Sequence, residues 1–152
     1  MPARVFVDSN VLAYARDASE AEKQRQAIAW MQHLWQSKTG RLSIQVLQEF
    51  YVTVTRKLRP GLEPASARAD VRELMSWHPT TLDARTLDGA FEAEERHDLS
   101  FWDALIVAAA RAGGCDYLLT EHLQDGQNLE GLVVINPFRH EPGSLRGNPS
   151  SG

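Results

Sequence analysis

The sequence predicts an α/β fold, a three-layer α/β/α sandwich around a central, mainly parallel sheet. Three observations lead there. Short apolar runs, Arg4-Val5-Phe6-Val7, Tyr117-Leu118-Leu119-Thr120 and Leu132-Val133-Val134-Ile135, read as strands. Longer stretches between them place apolar residues at helical spacing. The two kinds of segment alternate along the chain, with no internal repeat.

The elements follow in order. After the first strand, Asp8-Ser9-Asn10 offers three good helix N-cap residues before Val11-Leu12-Ala13-Tyr14-Ala15. Ser19 to Ser37 is rich in Glu, Lys, Gln and Ala, and Ala27, Trp30, Met31, Leu34 and Trp35 recur at helical spacing. Lys38-Thr39-Gly40 ends that helix, with Gly40 as the expected C-cap. Leu42-Ser43-Ile44 reads as a brief strand, with Ser43 free to cap the next helix. Val46, Leu47, Phe50, Tyr51, Val54 and Leu58 mark one face of that helix, which stops at Pro60-Gly61. Glu63-Pro64 opens a helix through Val71, Leu74, Met75 and Trp77, halted by Pro79. Thr80-Thr81-Leu82 reads as a strand, and Asp83 caps a helix running through Glu94. Ser100 begins an apolar helix to Ala112 that ends at Gly113-Gly114. Residues 1–138 are expected to form one domain. The Gly-, Pro- and Ser-rich tail, 139–152, is expected to be disordered.

Bulk properties narrow the function classes. At 152 residues the chain suits one domain with a real core. No stretch approaches the roughly 20 apolar residues of a membrane span. The direct entry into a strand leaves no room for a signal peptide. A single cysteine, Cys115, excludes an internal disulfide and a multi-cysteine zinc site. A cytosolic location is the expectation. The net charge of −4 argues against a protein that coats nucleic acid through bulk charge, though not against a nuclease whose acidic ligands are offset by cations. Basic residues are 13 Arg to 3 Lys, a bias that genomic base composition explains as well as phosphate binding does.

Four acids stand in apolar or uncharged surroundings: Asp8 after Val5-Phe6-Val7, Glu49 before Phe50-Tyr51, Asp103 within Phe101 to Ala110, and Glu121 after Tyr117-Leu118-Leu119-Thr120. A carboxylate facing a core must be neutralised, paired or bound to a cation. Each has a plainer reading. Asp8 is a good N-cap, Ser100-x-x-Asp103 fits a capping box, Glu49 alone suits a solvated helix face, and Glu121 suits a loop surface. Phe101, Trp102, Leu105, Ile106 and Val107 make the last helix look buried all round, so Asp103 is expected to face a polar cavity. Jointly the acids are more telling, because several fall at element ends expected on one edge of the sheet, where parallel α/β folds bind ligands.

These segments resemble a known family. Val7-Asp8-Ser9-Asn10-Val11-Leu12-Ala13-Tyr14-Ala15, Gln48-Glu49-Phe50-Tyr51, Ser100-Phe101-Trp102-Asp103-Ala104-Leu105-Ile106 and Leu118-Leu119-Thr120-Glu121-His122-Leu123-Gln124 are similar to the acidic motifs of PIN-domain ribonucleases, and within them to VapC toxins of toxin–antitoxin pairs. The match spans roughly residues 4 to 138. The resemblance implies a PIN-like nuclease domain with catalytic, metal-holding Asp8, Glu49 and Asp103 and a fourth acid near Thr120. Many relatives carry aspartate two residues after the Thr or Ser, where this chain has His122. Glu121, His122 and Asp125 remain candidates for the fourth place, and Glu121 is the expectation.

Such carboxylates suit Mg²⁺, with Mn²⁺ as a substitute. The resemblance implies metal-activated water hydrolysing RNA to 3′-hydroxyl and 5′-phosphate ends, a homodimer, and a cognate antitoxin protein holding the toxin inactive. Asn10 and Thr120 would orient ligands, Ser9 reads better as a local cap, and Arg16 and Arg111 suit either phosphate or solvent. Trp30, Trp35, Trp77 and Phe50-Tyr51 read as core rather than base-stacking groups. Two other readings compete. A catalytically silent PIN-like module would bind RNA or protein. A haloacid-dehalogenase-like phosphotransferase would use Asp8 as nucleophile, but Asn10 replaces its second acid and no suitable lysine follows.

Overall fold

The computed structural model describes residues 2–145. Five strands, β1 (Val5–Val7), β2 (Gly40–Arg41), β3 (Tyr117–Leu119), β4 (Asn128–Leu129) and β5 (Leu132–Ile135), form one sheet in the order β2-β1-β3-β5-β4. All neighbours are parallel except β4 against β5. Every residue of β1 and β3 is buried. Successive strand residues point to opposite faces, so both faces of the sheet centre must be covered. Six helices supply the cover in a three-layer α/β/α sandwich: α1 (Ser9–Tyr14), α2 (Ala21–Ser37), α3 (Ile44–Val52), α4 (Pro64–Leu74), α5 (Ala84–His97) and α6 (Phe101–Ala112). No described helix is long and apolar enough to cross a membrane.

Helix starts follow the cap chemistry. The Ser43 hydroxyl accepts from Val46 N at 3.3 Å, the Asp83 carboxylate from Thr86 N at 2.8 Å, and the Ser100 hydroxyl from Asp103 N at 3.2 Å. Several expectations need correction. The second strand is Gly40–Arg41, not Leu42-Ser43-Ile44, because the Ser43 cap already commits Ile44 to α3. Gly40 is therefore not the C-cap of α2, a position taken by Lys38 in the left-handed region (φ 60°). A glycine is required at 40 for another reason: an added Cβ would lie 2.5 Å from the Trp77 ring. Thr80 makes only a single parallel bridge to Ser43, so Thr80-Thr81-Leu82 is a strap rather than a strand.

The helix expected to reach Leu58 ends at Val52 and continues as a π-helical turn, Thr53–Lys57. The final helix is not buried all round either: Ala104 to Ala110 are buried, but Trp102 is 63% exposed. The hairpin β4–β5 went unread in the sequence. Its two-residue turn, Glu130-Gly131, has both φ values positive (55° and 97°), the pattern of the tight turns that match strand twist.

The C-terminal segment is pinned to α1 and α2. The Trp30 indole donates to Pro137 O (2.9 Å) and His140 O (3.1 Å), and Phe138 meets Tyr14 edge-on. Of the tail expected to be disordered from 139, Arg139 to Leu145 are described and make turns, with His140 bonded to Asp125. The rest of that tail, 146–152, lies outside the described residues.

Candidate active site

The strand register brings the first pair of site residues together. Val7 pairs with Leu119 in the parallel ladder, so the next residues, Asp8 and Thr120, emerge side by side at the carboxyl edge of the sheet. Both are buried, Asp8 at 7% exposure and Thr120 at 0%. Asp8 caps α1 as its sequence suggests, accepting from Ser9 N at 2.8 Å through Oδ1. Its other oxygen accepts from the Thr120 hydroxyl at 3.0 Å. The cap and the site are the same carboxylate.

Thr120 is held so that its one proton can go only to Asp8. Its Oγ1 accepts from Asn10 Nδ2 (3.0 Å) and from His122 N (3.2 Å), which uses both acceptor positions. Asn10 Oδ1 in turn accepts from Glu121 N at 3.2 Å. The expected orienting roles of Asn10 and Thr120 thus have a definite geometry, a relay that aims the Asp8 carboxylate.

Glu49 of α3 and Asp103 of α6 stand around Asp8. Burial pushes the Asp8 carboxyl above the usual carboxylate range, and the charge of Asp103 adds to it. Ser9 N–H, Thr120 and His122 only partly offset this. Glu49 is pushed up likewise, first by partial desolvation of its carboxyl group, then by the charges of Asp8 and Asp103. As a whole residue Glu49 is exposed, so its carboxyl sits at a rim rather than in a core, and the mutual repulsion is the informative part. The Gln45 side chain, one turn earlier, lowers it, although Gln45 Nε2 makes no hydrogen bond to any described residue. Only the serine half of the expected Ser100–Asp103 capping box forms. The Asp103 backbone N–H is used, while its carboxylate makes no hydrogen bond to any described residue.

The candidates for the fourth position separate. Glu121 is committed on both oxygens, to Tyr14 Oη at 2.6 Å and Lys23 Nζ at 2.8 Å. Desolvation pushes its pKa up, but the hydrogen bonds from Lys23 and Tyr14 outweigh that and hold it below the usual carboxylate range. Lys23 also lies 4.9 Å from the Tyr14 ring centre. His122 is the neighbour that lowers both Asp8 and Glu49. Asp125 serves elsewhere, accepting from Asn136 N at 2.8 Å and meeting His140 Nε2 at 2.9 Å. Arg16 and Arg111 are also engaged, with Asp70 (Nε at 2.7 Å) and Glu130 (3.0 Å). The Tyr14 and Lys23 partnership is invisible in sequence, since 107 and 98 residues separate them from Glu121. Gln45 could have been found, because it lies four residues before Glu49 on one helix.

The donor set can be tested against a cation. Oxygen donors suit hard divalent ions, and charges that repel one another around a cleft are stabilised by one. No group of three or more His, Cys, Asp or Glu side chains closes into a cage among the described residues. The donors that face the cleft are carboxylate oxygens, a set that suits a hard divalent ion.

A family model for the PIN domain matches residues 5–121. The chain belongs to the PIN-domain family. PIN-domain nucleases generally use a divalent metal. Among solved structures, VapC20 of Mycobacterium tuberculosis, described as a sarcin-ricin loop cleaving toxin, is 28% identical. It covers 81% of this chain and 91% of its own, with a TM-score of 0.57. A toxin–antitoxin complex from Klebsiella pneumoniae (17% identity, 90% and 98% coverage, TM-score 0.56) shares the fold. So does VapBC2 of Rickettsia felis, bound to a DNA fragment from its promoter (14%, 86% and 96%, 0.55). No curated protein matches the chain.

Proposed function

We propose that this PIN-domain protein is a Mg²⁺-dependent endoribonuclease acting as the toxin of a toxin–antitoxin pair. The observation that carries the reading is the convergence of Asp8, Glu49 and Asp103, from three separate elements, into one mutually repelling acidic site at the carboxyl edge of the sheet. Likeness to VapC20 supports RNA as substrate, and likeness to two toxin–antitoxin complexes supports an antitoxin partner. A homodimer is part of the same proposal.

In this reading Asp8, Glu49 and Asp103 hold Mg²⁺, or Mn²⁺ in its place, directly or through water. The ion would polarise the phosphodiester and lower the pKa of a bound water. Asp8, with its orientation set by Ser9 N–H and the Thr120 hydroxyl, offers a fixed oxygen from the floor of the site. Glu49 and Asp103 are free to accept from an attacking water and place it in line with the leaving oxygen. His122 balances part of the acidic charge. Glu121 acts as a positioning residue: through Lys23 and Tyr14 it ties the loop carrying His122 to α1 and α2.

The test is RNA cleavage by the purified chain with Mg²⁺ or Mn²⁺, the ends being mapped. The wild type should leave 5′-phosphates, and Asp8→Asn or Asp103→Asn should lose at least about 100-fold of the rate while melting cooperatively. Equal cleavage in either variant refutes the assignment. A wild type that neither binds Mn²⁺ by calorimetry nor cuts RNA is the silent module instead.

A further inference from the structure

Beside the acidic site lies a second concavity whose chemistry the metal reading does not use. A cavity of about 360 Å³ opens between α3 and α6, with Gln45 and Gln48 on one wall, Trp102 and Leu105 on the other, and Thr80 and Leu82 from the strap. That volume falls in the range of small-ligand sites. Two polar atoms buried in these walls, Gln45 Nε2 and Thr80 Oγ1, have no hydrogen-bond partner among the described residues. Folded proteins rarely leave such atoms unsatisfied. Thr80 is not loose either: its N–H donates to Leu42 O (3.1 Å) and its carbonyl accepts from Ile44 N (3.0 Å). The Trp102 indole is 63% exposed, braced edge-on by Phe101 at 5.1 Å.

The placement relative to the acids is set by the two helices. Trp102 immediately precedes Asp103, and Gln45 lies one turn before Glu49. The cavity walls carry no charged side chain, so a phosphate or an ammonium group would find no counter-charge there. An apolar side chain from a protein partner would leave Gln45 and Thr80 unsatisfied. A planar heterocycle with polar edges meets both requirements: it stacks on an indole and accepts from an amide and a hydroxyl.

We infer that this cavity binds one nucleobase of a single-stranded segment of the RNA substrate, next to the phosphate to be cut, stacked on Trp102 with its edge met by Gln45 Nε2 and Thr80 Oγ1. The inference rests on the RNA-cleaving reading and adds a determinant of where the cut falls. Gln45 and Thr80 discriminate between bases, whereas stacking on Trp102 is tolerant of sequence.

The experiment measures binding of short fluorescein-labelled single-stranded RNA oligomers, differing at one base, by anisotropy in EDTA, so that no cleavage is needed. Trp102→Ala should weaken binding by about five-fold or more, the span of one base–aromatic stack. Gln45→Met, close to isosteric, should level the differences among oligomers. Both variants should keep the wild-type melting temperature to within a few degrees. The inference is overturned if the wild type binds no oligomer, or if both variants bind every oligomer as the wild type does. It is also overturned if Trp102→Ala converts a dimer to monomer with RNA affinity unchanged, which makes the indole a subunit contact. Cleavage assays on the same proteins separate the two readings. A wild type that binds with these preferences yet is inert with Mg²⁺ removes the nuclease and keeps the base site. An active wild type with indifferent variants does the reverse.

Discussion

Replacing Thr120 by valine tests the Asn10–Thr120–Asp8 relay with little change of volume. Valine matches threonine in shape, so no cavity opens at this fully buried position and the effect is that of the lost hydroxyl. That hydroxyl donates to a buried carboxylate at 3.0 Å, a charged hydrogen bond worth roughly 1.5–3 kcal/mol. It also accepts from Asn10 Nδ2 and His122 N, which are partly buried and can turn partly to water. Together these give a loss of about 2–4 kcal/mol in metal-free protein at neutral pH, or a melting temperature lowered by on the order of 5–15 °C. The pH dependence follows from the sign of the Asp8 shift. Its folded-state value is raised, so between the ordinary aspartate value and the raised one the folded chain binds more protons than the unfolded, and stability rises as pH falls through that window. The Thr120 hydrogen bond favours the ionised form, so the deficit of Thr120→Val should be largest at neutral pH and shrink as Asp8 becomes protonated. Urea unfolding followed by circular dichroism, in EDTA at several pH values, measures both. A deficit below about 0.5 kcal/mol at neutral pH, or one that does not shrink on acidification, contradicts the relay.

Three further expectations follow. Gly40→Ala places a methyl 2.5 Å from the buried Trp77 ring and should destabilise by about 1–3 kcal/mol in urea unfolding, and wild-type stability would show that the strap and α4 simply give way. Mn²⁺ affinity by calorimetry should fall on acidification from above the ordinary carboxylate range, because Asp8 and Glu49 are both raised in the metal-free chain and both must lose their protons to hold the ion; an affinity that holds until the pH reaches that range counts against a shared site. Glu121→Gln breaks a partly exposed ion pair with Lys23 and should cost no more than about 1 kcal/mol, with Mn²⁺ affinity by calorimetry close to wild type. A collapse of that affinity would put Glu121 among the metal ligands.

The chain of local signals was readable where neighbours in sequence make the structure. The strands of β1, β3 and β5, the Ser43, Asp83 and Ser100 caps and the α/β alternation all come from residues within a few positions of each other. Boundaries failed where a distant residue decides. Gly40 looked like a helix stop, but its actual constraint is the Trp77 ring, 37 residues away by the numbering. Trp102 looked like core because its neighbours are apolar, whereas the helix turns it outward. The acids divide the same way. Asp8, Glu49 and Asp103 stand out because each interrupts apolar residues, but Glu121 and His122 are adjacent and equally polar, so sequence could not separate them.

By itself the sequence determined the fold class and the family and singled out three acids set among apolar residues, since hydrophobic periodicity and helix caps act over a turn or two. Only the tertiary structure decided which side chain faces which. Parallel register set Asp8 beside Thr120, the Lys23 and Tyr14 contacts drew Glu121 to the side, and the α3–α6 gap left Gln45 Nε2 and Thr80 Oγ1 without a hydrogen-bond partner among the described residues. Electrostatic repulsion and hydrogen bonding depend on distances of a few ångströms, and those are set by how separate elements pack.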